Sequence, residues 1–90
     1  MADADEAQRS YLAALAEALE PSAWNGEALQ AAIFATAQAR DLPSGRAFSA
    51  IYLAFLGRPS GPRAGWLLAA LDRDFVLGRL RDAAGAGVTA

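Results

Sequence analysis

Residues 46–80 read RAFSAIYLAFLGRPSGPRAGWLLAALDRDFVLGRL, and the fold class follows from this stretch. As far as Leu56 it is apolar at helical spacing. Phe48, Ile51, Tyr52 and Phe55 fall within one arc of about 100°, wide enough to face a core. Leu53 and Leu56 lie outside that arc, so this helix is either central among others or offers a strip to a partner. Arg46 projects roughly opposite Ile51, towards solvent. Gly57 suits a left-handed helix end and Pro59 sets the direction of exit. Ser60 is expected to cap the next helix, with Pro62 in its first turn, where a missing N–H is harmless. That helix presents Ala64, Leu67, Leu68 and Leu71. Asp72 or Asp74 starts a last one, which offers Val76, Leu80 and Ala83.

Upstream, the same periodicity predicts two more helices. The first covers about Asp5 to Leu19, with Leu12, Leu15, Ala16 and Leu19 on one face and Asp3, Asp5 and Glu6 near the positive end of its dipole. Pro21 stops it. The second runs from an Asn25 cap to about Arg40, with a core stripe of Leu29, Ile33, Thr36 and Ala37, and Trp24 placed to staple onto Leu29. Ser44 is expected to cap the third. No stretch alternates with the period of a strand. The expectation is therefore an all-α domain spanning residues 1–90, a compact bundle or array of about five short helices, frayed at 1–4 and 83–90.

Ninety residues make one small domain, which buries only about 60 to 65% of the surface its unfolded chain exposes. With no histidine and no cysteine, imidazole acid–base chemistry, thiol nucleophiles, disulfides and ordinary zinc sites are excluded. Much of the 54% hydrophobic content is alanine, a strong helix former, and no apolar run approaches the roughly 20 residues of a membrane span. The acidic N-terminus lacks a secretory pattern, and a cytoplasmic location is the default expectation. The net charge of −2 hides an asymmetry. Residues 1–39 hold six acidic side chains against Arg9, whereas residues 40–90 hold seven arginines against four aspartates. Such a split is compatible with a nucleic-acid-facing C-terminal half, because arginine pairs with phosphate and stacks on bases; most such splits are solvated faces or internal pairs.

The order and spacing of Ile51-Tyr52, Leu56-Gly57, Gly61-Pro62-Arg63 and Gly65, followed by Val76 and Leu80, resemble the C-terminal helical, anticodon-binding region of class I lysyl-tRNA synthetases. The upstream half is similar too, through Gln8-Arg9-Tyr11-Leu12, Trp24 with Glu27, Leu29-Gln30 and Ile33-Phe34. This resemblance implies a helical-cage-like fold and a non-catalytic module that recognises a tRNA, tRNA(Lys), through its anticodon arm, as a fragment or a free-standing relative of a synthetase. The catalytic body of a synthetase is then a second expected partner. No HIGH-like or KMSKS-like segment of a nucleotide-binding domain is present, so the chain is not expected to act as an enzyme, nor to need a metal, a cofactor, DNA or a membrane. The competing expectation is a helical interaction or oligomerisation domain that docks through Leu53 and Leu56 without binding RNA.

The candidate RNA-binding residues are Arg46, Arg58, Arg63, Trp66 and Arg73. Arg63 stands near a helix N-terminus, where its charge opposes the dipole. Its guanidinium either holds carbonyls or an aspartate nearby, or joins the helix N–H groups around an RNA phosphate. Trp66 points about 100° away from Leu67, to the margin of its helix, as a base platform flanked by arginine would. Trp24, Phe34, Phe48 and Tyr52 are further possible platforms, although aromatics at helical spacing are more often core. Arg73, although a candidate, reads with Arg79 and Arg81 as a generic surface charge, with Asp82 placed to pair Arg79 or solvent counterions.

Overall fold

The computed structural model describes residues 5–58 and 60–85; Asp3, Pro59 and the tail from residue 86, on which some expectations rest, lie outside them. Five helices follow in order: α1 (Glu6–Leu19), α2 (Gly26–Ala39), α3 (Ser44–Leu56), α4 (Ala64–Ala69) and α5 (Arg73–Ala84). Among the described residues there is no strand, and no helix is long and apolar enough to cross a membrane.

Local chemistry sets most of the helix ends. At α1 the Asp5 carboxylate accepts from Gln8 N–H at 2.8 Å, and the Gln8 Oε1 accepts from Asp5 N–H at 3.0 Å. This reciprocal box satisfies two donors that would otherwise be orphaned. Asn25 caps α2 by accepting from Ala28 N–H, and Asp72 caps α5 by accepting from Phe75 N–H. The end of α2 turns through Asp41, at φ 54°. From there Leu42 N–H reaches back to the Ala37 carbonyl and Asp41 N–H to that of Gln38, the paired bonds of a Schellman motif. Gly57, at φ 72°, ends α3 in the left-handed region.

Two starts differ from expectation. Ser44 is the first residue of α3 rather than its cap, because the rigid Pro43 occupies the cap position and its carbonyl receives Arg46 and Ala47 N–H. Likewise α4 begins at Ala64 after an Arg63 cap with no side-chain bond, so Ser60 is not its cap and Pro62 lies ahead of it. Helix α5 persists through Ala84, past the expected start of fraying at residue 83, since Val76, Leu77 and Leu80 keep it on the core.

The two most extensive pairings are α1 on α5 and α2 on α4, with α3 touching all four other helices. Leu12, Leu15, Leu19, Leu29, Ile33, Ile51, Leu68, Val76 and Leu80 are fully buried and belong to one apolar core. On α3 the buried residues are Ala47, Ala50, Ile51, Tyr52 and Ala54, while Phe48 and Phe55 are only partly buried. Of the arc Phe48, Ile51, Tyr52 and Phe55, only Ile51 and Tyr52 are buried. Alanines let α3 approach its neighbours closely and push the large rings to its flanks.

Candidate nucleic-acid interface

The loop between α3 and α4 is held by Tyr52. Its hydroxyl donates to the Pro62 carbonyl, and a Cβ on Gly61 would stand 3.2 Å from the Tyr52 ring and 2.6 Å from Leu56 Cδ1. Glycine therefore lets the loop lie flat on the last turns of α3. Leu56, 37% exposed, is partly covered by that loop.

Beyond the loop, α4 meets α2 backbone to backbone. A Cβ on Gly65 would lie 2.6 Å from the Gly26 carbonyl oxygen and 2.7 Å from Gln30 N, and backbone atoms cannot swing aside. Gly65 N–H donates to Gln30 Oε1 at 2.8 Å. One helix thus satisfies a donor at the start of the other. That N–H is committed within the protein, which removes it from any phosphate cradle around Arg63. A Cβ on Gly26 would collide with the Trp66 indole, 2.4 Å from Cε2, so the ring lies across the first residue of α2.

This crossing leaves no interior room for Trp66, which remains 42% exposed. The Arg63 guanidinium carbon sits 4.2 Å from the indole centroid, a cation–π contact of about 0.5–1 kcal/mol at an exposed site. Neither an aspartate nor a carbonyl holds that guanidinium among the described residues; the ring is its partner. The pair is thus a cation and a π surface, both open to solvent.

The remaining candidates divide. Arg58 is exposed on the same loop, just after Gly57, and has no ion-pair partner among the described residues. Arg73, exposed, opens α5. The turn before it is tied to the start of α2, because Trp24 Nε1 donates to the Leu71 carbonyl at 2.9 Å. Arg46 lies apart, with about 15 Å of α3 axis between it and Leu56. There it pairs with Asp5, and its carbonyl accepts from Gln8 Nε2 at 3.0 Å. The structure therefore brings Arg63 and Trp66 together, keeps Arg58 on their loop, and leaves Arg46 with the α1 cap.

Arg79 is not a generic surface charge. Its Nε donates to the Ala54 carbonyl at 2.7 Å, bracing the end of α3 against α5, and Asp82 does not take it. Arg81 pairs with Glu20 at 3.3 Å. Of the aromatic residues, Trp24 and Tyr52 use their polar atoms inside the fold. Phe48 is partly buried, with Phe34 edge-on to it at 5.3 Å. Phe34 remains 42% exposed. Tyr11 is fully buried, its hydroxyl donating to the Ile33 carbonyl at 3.0 Å, and burial pushes its phenol pKa well above the ordinary value. Gln30 and Gly26 carried no role in the sequence reading. Gly26 opens α2 and Gly65 is the second residue of α4, but Gly45 holds the same position in α3 with nothing within 4 Å of an added Cβ, so a glycine at a helix start did not by itself mark the crossing.

Residues 1–84 match a family model described as an anticodon binding domain. The chain is 42% identical over 79 residues to a lysine–tRNA ligase of Halobacterium salinarum, which covers 88% of this chain and 14% of that protein. A lysine–tRNA ligase of Natronomonas pharaonis gives the same figures. One from Pyrococcus furiosus is 47% identical over 49 residues, 54% of this chain and 9% of that protein. The chain thus spans about a seventh or less of the length of these relatives. No solved structure matches it.

Proposed function

Because the chain belongs to the family of anticodon-binding domains, we propose that it recognises a tRNA through the anticodon arm, as a single cytoplasmic domain without amino-acid activation of its own. The names of the three relatives above, each a lysine–tRNA ligase, support tRNA(Lys) as the cognate and a synthetase body as the source of catalysis. The observation that carries the reading is the Arg63–Trp66 pair. An exposed indole offers an unpaired base a stacking surface, and a cation whose only partner among the described residues is that ring remains able to meet a phosphate. Arg58 and Arg73 extend the positive charge on either side of the pair along the sequence. Arg46, already paired with Asp5, contributes least.

The test is binding of the chain to a tRNA(Lys) anticodon stem-loop across a salt series. Affinity should fall with salt, because each neutralised phosphate releases counterions. Arg58→Ala should flatten the log–log slope by about 0.7 to 0.9, one contact, without moving the melting temperature. Trp66→Ala should cost about 1–3 kcal/mol of affinity and leave the slope nearly unchanged, as lost stacking does. Absence of binding at low ionic strength with protein at about 100 µM, the weak limit of even non-specific contacts, would sink the proposal.

A further inference from the structure

Gly26, Gln30 and Phe34 are four residues apart and so lie in one row along α2. Trp66 packs over Gly26 at one end of the row, and Phe34 stands at the other, about 12 Å further along the axis. Both rings are 42% exposed, and Gln30 is midway between them. Its amide is not free to flip. Oε1 is fixed by the Gly65 N–H, which turns the amide nitrogen the other way. That nitrogen donates to no described residue, yet it is not sealed from solvent, since among the described residues no buried side-chain nitrogen or oxygen lacks a partner. An oriented pair of N–H donors therefore stands uncommitted between two exposed aromatic rings.

We propose that Gln30 is a specificity-determining residue, whose amide nitrogen donates to a carbonyl oxygen on the edge of an unpaired RNA base held on the row between Trp66 and Phe34. Stacking alone accepts any base, since each has a π face. A donor in fixed orientation discriminates: it favours bases that present an oxygen, as uracil O4 and guanine O6 do, over those presenting an amino group there, as cytosine N4 does. The proposal rests on the anticodon-arm reading, and its test separates the two.

Two RNA hairpins share one stem and carry loops of uridine only or cytidine only, so that ring size and backbone charge are matched. The wild-type chain should bind the uridine loop about 3- to 10-fold more tightly, the effect of one hydrogen bond. Gln30→Glu keeps an oxygen for Gly65 N–H but replaces the donor by an acceptor. It should melt close to the parent and reverse the preference. Its added negative charge weakens both complexes alike, so the ratio of the two affinities is the readout. Gln30→Met, which has no donor and only a weakly accepting sulfur, should bring the ratio close to one. A wild type indifferent to the two loops, or a Gln30→Glu variant that keeps the parent's ratio, overturns the proposal while leaving anticodon-arm binding standing. Binding to neither hairpin removes both readings together.

Discussion

The pairing of α1 with α5 and the pairing of α2 with α4 hold this molecule together in opposite ways. The first is a side-chain seam: Leu12, Leu15 and Leu19 on α1, and Val76 and Leu80 on α5, are all fully buried, and the apolar area removed from water is the stabilising term. The second is a backbone crossing, closed by Gly26, Gly65 and a hydrogen bond from Gly65 to Gln30. When backbones meet, large side chains are displaced outward, and Trp66 with its stacked Arg63 is the result. The seam consumes its residues in stability. The crossing leaves its residues available to a partner, which is why the candidate interface lies there.

The largest effect is expected at Tyr52, which belongs to the core and also holds the loop that leads to the crossing. Tyr52→Ala should cost about 3–5 kcal/mol, the range for a buried aromatic, enough to leave so small a domain largely unfolded in thermal or urea melts. Melting within a degree or two of the parent would show that α3 is not central. Next comes the crossing itself. Gly65→Ala should destabilise by about 1–3 kcal/mol through overpacking against backbone and weaken stem-loop binding by displacing Trp66. Gly78→Ala is the matched control, because nothing lies within 4 Å of the added Cβ, and it should stabilise by about 0.5–1 kcal/mol as alanine replaces glycine in a helix. Equal behaviour of the two variants would break the comparison.

The smallest loss is at Tyr11, whose hydroxyl ties α1 to the Ile33 carbonyl of α2. Tyr11→Phe should cost about 1 kcal/mol, one hydrogen bond, and should also change the response to alkali. The folded phenol holds its proton above the ordinary pKa, so above about pH 10 the unfolded chain loses a proton that the folded one keeps. The contribution of Tyr11 is complete below that pH and declines as pH rises towards the folded pKa, by about 1.4 kcal/mol per unit. Urea midpoints measured from pH 9 upward should fall less steeply in Tyr11→Phe; parallel curves would show that the phenol is not shielded.

Of the candidate site, Trp66 at the margin of its helix and Arg63 beside it were legible in the sequence, because both positions follow from helical phase. The partner of Arg63 was not. An arginine opposing a helix dipole calls for compensation from a carbonyl, a carboxylate or an anion, and an aromatic face three residues on supplied it instead. Arg79 was misread for a related reason: its acceptor, the Ala54 carbonyl, lies 25 residues away, whereas Asp82 lies three away and drew the local pairing.

What the sequence by itself determined acts within about one helical turn. The number of helices, the Asn25 cap, the left-handed end at Gly57 and the stripe Leu29, Ile33, Thr36 and Ala37 depend on neighbours three or four residues distant, and periodicity reports those directly; between Asp72 and Asp74 as the start of α5, the structure chose Asp72. Only the tertiary structure decided which helices meet through side chains and which through backbone. The Gly65–Gln30 bond spans 35 residues and the Trp24–Leu71 bond 47. Neither leaves a periodic trace, because a glycine needed for close approach and one left in open space, such as Gly78, are the same letter until another helix lies against one of them.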